Sequence, residues 1–153
     1  RDDLHLYVIL DGIEDPHNLG AVLRTADAAG AHGVIIPQRR AVGLTASVSR
    51  ASAGAVEYIP VARVRNIPQT ISELRKSGVW TIGVAMVGNE AYTQPDYQQA
   101  IALVIGAEGK GLSRLVQERC DLLVSIPMKG RIASLNASVA AALVMYEVVR
   151  QRA

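Results

Sequence analysis

Residues 7–37 read YVILDGIEDPHNLGAVLRTADAAGAHGVIIP, and the hydrophobic pattern of this stretch indicates the fold class. The apolar run Tyr7–Leu10 ends at Asp11-Gly12, which is typical of a buried strand that leads into a loop. Residues 19–29 carry apolar side chains at helical spacing, and residues 33–37 (GVIIP) predict a second strand. A strand, a helix and a strand in such close succession predict a β-α-β unit, the building block of a parallel sheet.

The turn before this helix is made of Asp15-Pro16-His17-Asn18. These residue types favour turns and helix N-termini, and we expect Asn18 to cap the helix that continues through Arg24. Gly30 is the expected stop, because glycine adopts the left-handed conformation that ends many helices.

The same alternation continues along the rest of the chain. Further strands are predicted at 58–64, 79–85, 101–105 and 122–126, further helices at 44–53, 66–77, 112–119 and 134–150, and a polar loop at 88–99. The sequence therefore predicts an α/β fold with a mostly parallel sheet flanked by helices. Because no linker, repeat or low-complexity tract interrupts it, we expect residues 1–153 to form one domain.

The composition limits the kind of core, the surface charge and the cross-links that this chain can have. Half of the residues are hydrophobic, Phe is absent and Trp occurs once, so the core must be aliphatic, as buried parallel strands require. The net charge of +2 is too small to indicate RNA binding by itself, although 13 of the 16 basic residues are Arg, which binds phosphate through two hydrogen bonds. Cys120 is the only cysteine, so an intrachain disulfide is excluded.

The sequence also bears on metals and on location. The three histidines, His5, His17 and His32, are scattered without metal-ligand spacing, and we expect no metal site. We expect no membrane association and a cytoplasmic location, since no apolar run approaches the ~20 residues of a spanning helix and no signal peptide is visible. Because the chain begins with Arg1 and not Met, we expect a piece of a longer protein.

A glycine-rich loop follows the strand predicted at 101–105. Residues 104–112 read VIGAEGKGL, with an unusual carboxylate at Glu108. The glycine spacing does not match a dinucleotide fingerprint, and no Gly-Lys-Ser/Thr follows to form a phosphate-binding P-loop. Ligands bind beyond the carboxyl ends of the strands of an open α/β sheet, so this loop is either part of a binding site or a plain structural turn.

A second unusual segment follows the strand predicted at 122–126. Residues 126–130 read IPMKG, and residues 134–140 read SLNASVA at the start of an apolar helix. Ser134 and Asn136 are either helix caps or site residues. Arg24 presents a similar choice, since an arginine in the middle of a helix is often simply solvated.

Taken together and in this order, residues 15–24, 104–109 and 126–140 resemble the TrmH/SpoU branch of RNA 2′-O-ribose methyltransferases, which belongs to the SPOUT superfamily. The resemblance extends from about Tyr7 to Arg150 and is closest to the bacterial 23S rRNA guanosine-2′-O-methyltransferases. It implies a deep C-terminal trefoil knot, which ordinary topology rules would never select. It also implies a homodimer whose active site is completed across the interface, and an N-terminal RNA-binding domain that is absent from residues 1–153.

The resemblance further implies the site residues. S-adenosylmethionine would be held by Gly106, Ile126, Met128 and Leu135, with Ala85 closing the pocket. The catalytic positions correspond to Asn18, Arg24, Glu108, Ser134 and Asn136. The preferred candidates for RNA contact are Arg39, Arg40, Lys129 and Arg131. Further basic candidates are Arg50, Arg63, Arg65 and Lys110.

Other functions remain open at this point. The methyltransferase could act on a guanosine of 23S rRNA, on another rRNA nucleotide or on tRNA, because the motifs do not select the target. A nucleotide-binding or RNA-binding module without catalysis is a further alternative. A metabolic α/β enzyme is disfavoured, since no matching cofactor motif occurs.

Overall fold

The structure is a computed structural model that describes residues 4–38, 45–86 and 88–153. In the described ranges, strands and helices follow the order that the sequence predicts, with the additional short strand β5 between β4 and β6. The strands are β1 (Leu6–Asp11), β2 (Gly33–Pro37), β3 (Val61–Val64), β4 (Trp80–Val84), β5 (Glu90–Ala91), β6 (Ile101–Gly106) and β7 (Leu122–Ser125). The helices are α1 (Pro16–Ala28), α2 (Ala46–Ala51), α3 (Ile67–Lys76), α4 (Arg114–Arg119) and α5 (Ala137–Arg152).

One sheet contains all seven strands, in the order β3-β2-β1-β6-β4-β7-β5. Every pairing is parallel, which confirms the predicted α/β fold with helices flanking a parallel sheet. Parallel strands end at the same edge of the sheet, and the loops after β4, β6 and β7 are therefore neighbours. Strand order and pairing do not show whether the chain passes through a loop, so the trefoil knot stays a prediction.

The core has two layers because side chains alternate across each strand. Val8 and Leu10 face the layer that contains α1, α2 and α5, whereas Ile9 faces the layer that contains α3 and α4. Residues 101–105 of the central strand β6 are at most 2% exposed. This double burial explains the continuous apolar runs in the sequence and the need for helices on both sides.

The start of α1 differs from the prediction. Asp15 is the N-cap, and its Oδ1 accepts a hydrogen bond from the His17 N–H at 3.0 Å. The prediction that Asn18 caps this helix is wrong, since Asn18 lies inside the first turn. Pro16 explains the earlier start, because proline lacks an N–H and already has a helical φ at the first helical position.

The start of α5 is later than predicted. The helix begins at Ala137, and Asn136 is its N-cap, with Oδ1 accepting a hydrogen bond from the Ser138 N–H at 2.9 Å. Ser134 therefore precedes the helix and does not belong to its first turn. Asn136 thus has the capping role that the sequence left as one of two alternatives.

Two further segments differ from the prediction. The strand predicted from Tyr58 begins only at Val61, after a short 3₁₀ turn at Ala55–Glu57, and Tyr58 is 79% exposed. The polar stretch 88–99 contains the short edge strand β5 and the fully buried Tyr97, whose hydroxyl donates to the Tyr92 carbonyl at 2.6 Å. Period-2 patterning could not reveal a two-residue strand, since it has no period to show.

The structure also bears on the membrane, the metal and the cysteine that the sequence analysis considered. Within the described ranges, no helix is long and apolar enough to cross a membrane, and no group of three or more His, Cys, Asp or Glu side chains could hold a metal ion. The cytoplasmic location and the absence of a metal stay predictions. Burial raises the pKa of the Cys120 thiol to about 12, in agreement with a packing role and not a nucleophilic one.

Candidate active site

A cavity of about 220 Å³ opens at the carboxyl edge of the sheet. It lies between the ends of β4 and β6, the segment after β7 and the first turns of α5, where the parallel topology brings these loops together. Apolar residues make up much of its wall: Val84, Ala85, Met86, Ile105, Leu112, Ile126, Met128, Leu135, Ala137 and Ala140.

All five residues predicted to hold a cofactor line this cavity. Gly106 ends β6, Ala85 follows β4, and Ile126 and Met128 follow β7. Leu135 lies just before α5 and is half-buried. Three segments that are far apart in sequence, at the ends of β4, β6 and β7, thus line one cavity, while the role of these residues in binding a cofactor stays a prediction.

The loop 106–113 forms one side of the cavity and folds back on itself. The Gly111 N–H donates to the Ala107 carbonyl at 2.7 Å, and Gly109 and Gly111 have φ values of 82° and 65°. A Cβ atom at position 106 would overlap the backbone of Gly111 and lie 2.6 Å from the Leu112 nitrogen. Glycine is required at position 106 because the returning loop packs directly on the strand end.

The predicted catalytic residues fall into two groups. Ser134 and the exposed Glu108 line the cavity. Asn18, Arg24 and Asn136 are described by the structure, yet they are outside the cavity lining. Two of the five predicted catalytic residues thus line the cavity of this chain, and the catalytic roles of all five stay predictions.

Arg24 lies on the exposed face of α1, beside a second groove. Its neighbours Ala21 and Thr25 line that groove together with residues of α5 and the segment after β5: Tyr92, Ser138, Val139, Ala142, Leu143, Tyr146 and Glu147. Val139, Leu143 and Tyr146 are 47%, 38% and 46% exposed, respectively. Their spacing of four and three residues forms one apolar stripe along α5. We call these three residues the α5 stripe.

The predicted RNA contacts are only partly described. Lys129 and Arg131 are exposed in the segment between β7 and α5, which borders the cavity. Lys110 lines the cavity itself and is also exposed. Arg39 and Arg40 lie outside the described residues.

Comparison with known proteins decides the family. The sequence profile described as the SpoU rRNA Methylase family matches residues 5–146. The chain belongs to this family. It is 54% identical over 152 residues to the Bacillus subtilis protein YacO, which is named for the TrmH family of tRNA/rRNA methyltransferases. The match covers 99% of this chain and 61% of YacO, so the chain spans less than two thirds of the length of such relatives.

Solved structures of the family have the same fold. The SpoU methyltransferase AviRb from Streptomyces viridochromogenes, in complex with the cofactor AdoMet, has a TM-score of 0.89 and 35% sequence identity, covering 98% of this chain and 58% of AviRb. The TrmH/SpoU tRNA modifying enzyme of A. aeolicus has a TM-score of 0.87 and 27% identity, covering 99% of this chain and 76% of that protein. The family therefore includes proteins named for rRNA and for tRNA.

Several cavity residues of this SpoU-family chain escaped the sequence analysis. Gln117 lines the cavity from α4, and its Nε2 donates to the Leu112 carbonyl at 3.0 Å. Leu112 and the alanines of α5 that face the cavity look like ordinary core residues in the sequence. A glutamine in the middle of a short helix carries no local signal, so only the packing of α4 against the loop reveals it.

Proposed function

We propose that this chain is the catalytic domain of an RNA 2′-O-ribose methyltransferase that uses S-adenosylmethionine (AdoMet). The observation that carries the proposal is the single cavity shared by Gly106, Ile126 and Leu135 at the carboxyl edge of the sheet. The AdoMet complex of AviRb, a member of the same family with 35% identity, supports the choice of cofactor.

The residues present fit such a cofactor. Val84, Leu112 and Leu135 give the cavity an apolar wall that suits an adenine ring, and the ends of β4 and β6 supply backbone groups for hydrogen bonds. The Glu108 carboxylate at the rim would attract a cationic ligand. When bound, AdoMet supplies an electrophilic methyl group on its sulfonium.

Arg24 is the central catalytic residue in this proposal. Arginine stays protonated in proteins, so Arg24 is better suited to clamp a substrate phosphate and stabilise a developing 2′-alkoxide than to remove a proton. The proton of the ribose hydroxyl would then pass to a substrate phosphate or to water. Ser134 and Asn136 would orient the ribose or Arg24, and Asn18 and Glu108 would brace their loops.

We further propose that a second copy of the chain completes the site. Arg24 is not among the residues that line the cavity of its own chain, whereas its neighbours Ala21 and Thr25 line the groove that contains the exposed α5 stripe. A homodimer that buries this stripe would cover apolar surface and carry Arg24 toward the neighbouring copy. Sedimentation equilibrium should show a dimer for the wild type and a monomer for Leu143→Asp. A monomeric wild type would refute the homodimer.

Cofactor binding is the first test. Isothermal titration calorimetry should show saturable binding of AdoMet and no binding of ATP or NAD at the same concentrations. Binding of ATP or NAD in preference to AdoMet would refute the cofactor assignment. Binding of AdoMet without methyl transfer to any RNA would favour a binding module.

Methyl transfer tests the role of Arg24. With radiolabelled AdoMet and RNA, Arg24→Ala should slow transfer by about 10²–10³-fold, the effect of removing a group that stabilises a developing oxyanion. Arg24→Lys should be nearly as slow, because lysine keeps the charge and loses the planar fork. The assignment is wrong if both variants transfer methyl groups at the wild-type rate.

Mixing two inactive variants tests whether Arg24 acts across an interface. At an AdoMet concentration well below the weakened affinity of Gly106→Ala, both Arg24→Ala and Gly106→Ala are expected to have low activity separately, the first through slow transfer and the second through weak cofactor binding. In a mixed dimer, one of the two sites would have an intact cavity and an intact Arg24 from the other copy. Partial recovery of activity on mixing is the expected outcome, and a mixture as inactive as its components would contradict action across the interface.

A guanosine of 23S rRNA is the proposed substrate, with tRNA as the second candidate. The resemblance of Ile126-Pro127-Met128 and Ser134-Leu135-Asn136 to the bacterial 23S rRNA enzymes supports the rRNA target. Lys129 and Arg131 would contact the phosphates, together with Arg39, Arg40 and an RNA-binding region outside this chain. Mapping of 2′-O-methyl groups in RNA from cells that lack the gene should show the loss of one rRNA guanosine methyl, whereas loss of a tRNA methyl would select the other target.

A further inference from the structure

Both ends of the loop 106–113 lie next to one residue, Asp11, at the end of β1. Asp11 is the parallel partner of Gly106, at the entry of the loop. Its Oδ2 accepts a hydrogen bond from the Ser113 N–H at 3.1 Å, at the exit of the loop. The sequence separates Asp11 and Ser113 by 102 positions, so this contact exists only in the folded chain.

We infer that Asp11 is a positioning residue for the cofactor, and this inference rests on the proposed function. Asp11 is outside the cavity lining given by the described residues, and so it would act through the loop and not by touching the ligand. Its carboxylate holds the loop in the shape that presents Gly106 to Leu112 to the cavity.

The surroundings of Asp11 show why this one bond matters. Gly12, the next residue, has a φ of 85°, and the chain leaves the sheet there, with a Cβ at that position 3.8 Å from the Ala107 Cβ. Within the loop, the bond from Gly111 N–H to the Ala107 carbonyl closes the turn. That bond fixes the turn internally and does not set its place relative to the sheet.

Ser113 is well placed to transmit the effect. It is the N-cap of α4, and its Oγ accepts a hydrogen bond from the Val116 N–H at 3.3 Å. From the next turn of α4, Gln117 donates to the Leu112 carbonyl and lines the cavity. Loss of the Asp11 bond would therefore release both the loop exit and the first turn of α4. A flexible wall must be ordered when a ligand binds, and this ordering weakens the affinity.

Three variants separate positioning from simple stability. Asp11→Ala removes the acceptor, and Asp11→Asn keeps an oxygen that can accept the same hydrogen bond. Asp96→Ala is the matched control, since Asp96 Oδ1 also accepts a backbone hydrogen bond, from the Gln98 N–H at 2.9 Å, in a segment away from the cavity. The affinity for AdoMet is measured by calorimetry and the thermal midpoint by circular dichroism.

We expect Asp11→Ala to weaken AdoMet binding about tenfold, equivalent to about 1.4 kcal/mol. Asp11→Asn should recover most of the affinity, and Asp96→Ala should bind like the wild type. Equal affinities of Asp11→Ala and wild type, or a loss in Asp11→Asn as large as in Asp11→Ala, would overturn the inference.

Amide hydrogen exchange in the ligand-free protein distinguishes this inference from the proposed function. Asp11→Ala should lose protection at residues 107–113, and Asp96→Ala should not. If the wild type fails to bind AdoMet while this local loss occurs, the cofactor assignment fails and the positioning of the loop by Asp11 stands. Unchanged exchange at residues 107–113 in Asp11→Ala overturns the positioning role, whatever the wild type binds.

Discussion

Arg152 Nη1, in the last turn of α5, donates a hydrogen bond to the Leu4 carbonyl at 2.9 Å, across a sequence separation of 148. The same guanidinium donates to the carbonyls of His5, Tyr97 and Gln99 at 3.0, 3.0 and 2.7 Å. A planar group with five N–H donors can reach four carbonyls from different segments at once. Arg152 therefore ties the end of α5 to the amino ends of β1 and β6.

Replacement of Arg152 should destabilise the fold. Arg152→Ala leaves four carbonyls without their charged donor, and we expect a loss of about 2–3 kcal/mol in the free energy of unfolding. Arg152→Lys should recover only part, since an ammonium lacks the planar fork. Urea denaturation, monitored by circular dichroism, measures the free energy of unfolding of both variants. A lysine variant as stable as the wild type would show that charge alone, and not the fork, is what matters.

Glu147 gives the stability a predictable dependence on pH. Its side chain is buried, and Arg150 Nε and Nη2 each donate a hydrogen bond to its carboxylate at 2.8 Å, which lowers the pKa of Glu147. A carboxylate whose pKa is lower in the folded state stabilises the protein above its unfolded pKa of about 4.3, and this stabilisation is lost as the pH falls through the folded pKa.

We therefore expect Glu147→Gln to be less stable than the wild type at pH 7. The gap between the two proteins should narrow as the pH is lowered from about 5 to 3, around the ordinary pKa of glutamate. Urea midpoints over this pH range provide the measurement, with Glu118→Gln as the control, because Glu118 forms an exposed pair with Arg114. A gap that stays constant with pH would mean that the charge on Glu147 contributes nothing.

Gly20 permits the close contact between α1 and α2. A Cβ atom at this position would overlap the Ala51 side chain and lie 2.9 Å from the backbone nitrogen of Ser52. Gly20→Ala should cost about 1–3 kcal/mol despite the better helix propensity of alanine, because the two helices would be forced apart. Adding Ala51→Gly should recover part of the loss in a double-mutant cycle. If the effects of Gly20→Ala and Ala51→Gly on the free energy of unfolding are strictly additive, the two side chains do not clash directly.

Gly106→Ala tests the shape of the cavity loop. The new methyl group would overlap the backbone of Gly111, so the loop must move away from the strand end. We expect AdoMet affinity to fall by at least about tenfold, equivalent to about 1.4 kcal/mol. Gly130→Ala is the matched control, since a Cβ there meets nothing within 4 Å, and its stability should stay within about 0.5 kcal/mol of the wild type. If Gly106→Ala binds AdoMet with wild-type affinity, the close packing of the loop on the end of β6 does not shape the cavity.

Much of the fold follows from local patterns. The apolar run Tyr7–Leu10, the helical spacing from Leu19 and the run Gly33–Pro37 predict the β-α-β unit that the structure contains. The predicted first residues of helices are less accurate where a single residue sets the helix start, as Pro16 does for α1 and Asn136 for α5. The edge strand β5 was not predicted because its two residues are too few to show an alternating pattern.

The position of the cavity could also be predicted in part, because it depends on where the strands end. Gly106 is the last residue of β6 and Ile126 directly follows β7, and since parallel strands end at one edge of the sheet, residues at these carboxyl ends must be neighbours. The relation of Arg24 to that cavity could not be derived in this way. Its place on α1 depends on which face of the sheet the helix covers, and local periodicity does not encode that choice.

Alone, the amino-acid sequence determined the alternation of strands and helices, the glycines of the cavity loop and the likeness to a methyltransferase family. These three features depend on the spacing of hydrophobic residues and on residue type, and both can be recognised within short stretches of the chain. Only the tertiary structure shows that Asp11 accepts a hydrogen bond from Ser113, that Arg152 binds the carbonyl of Leu4 just before β1, and that α1 and the α5 stripe line the same groove. The physical reason is that hydrogen bonds between distant segments form only after the packing of helices on the sheet has fixed their separation and direction.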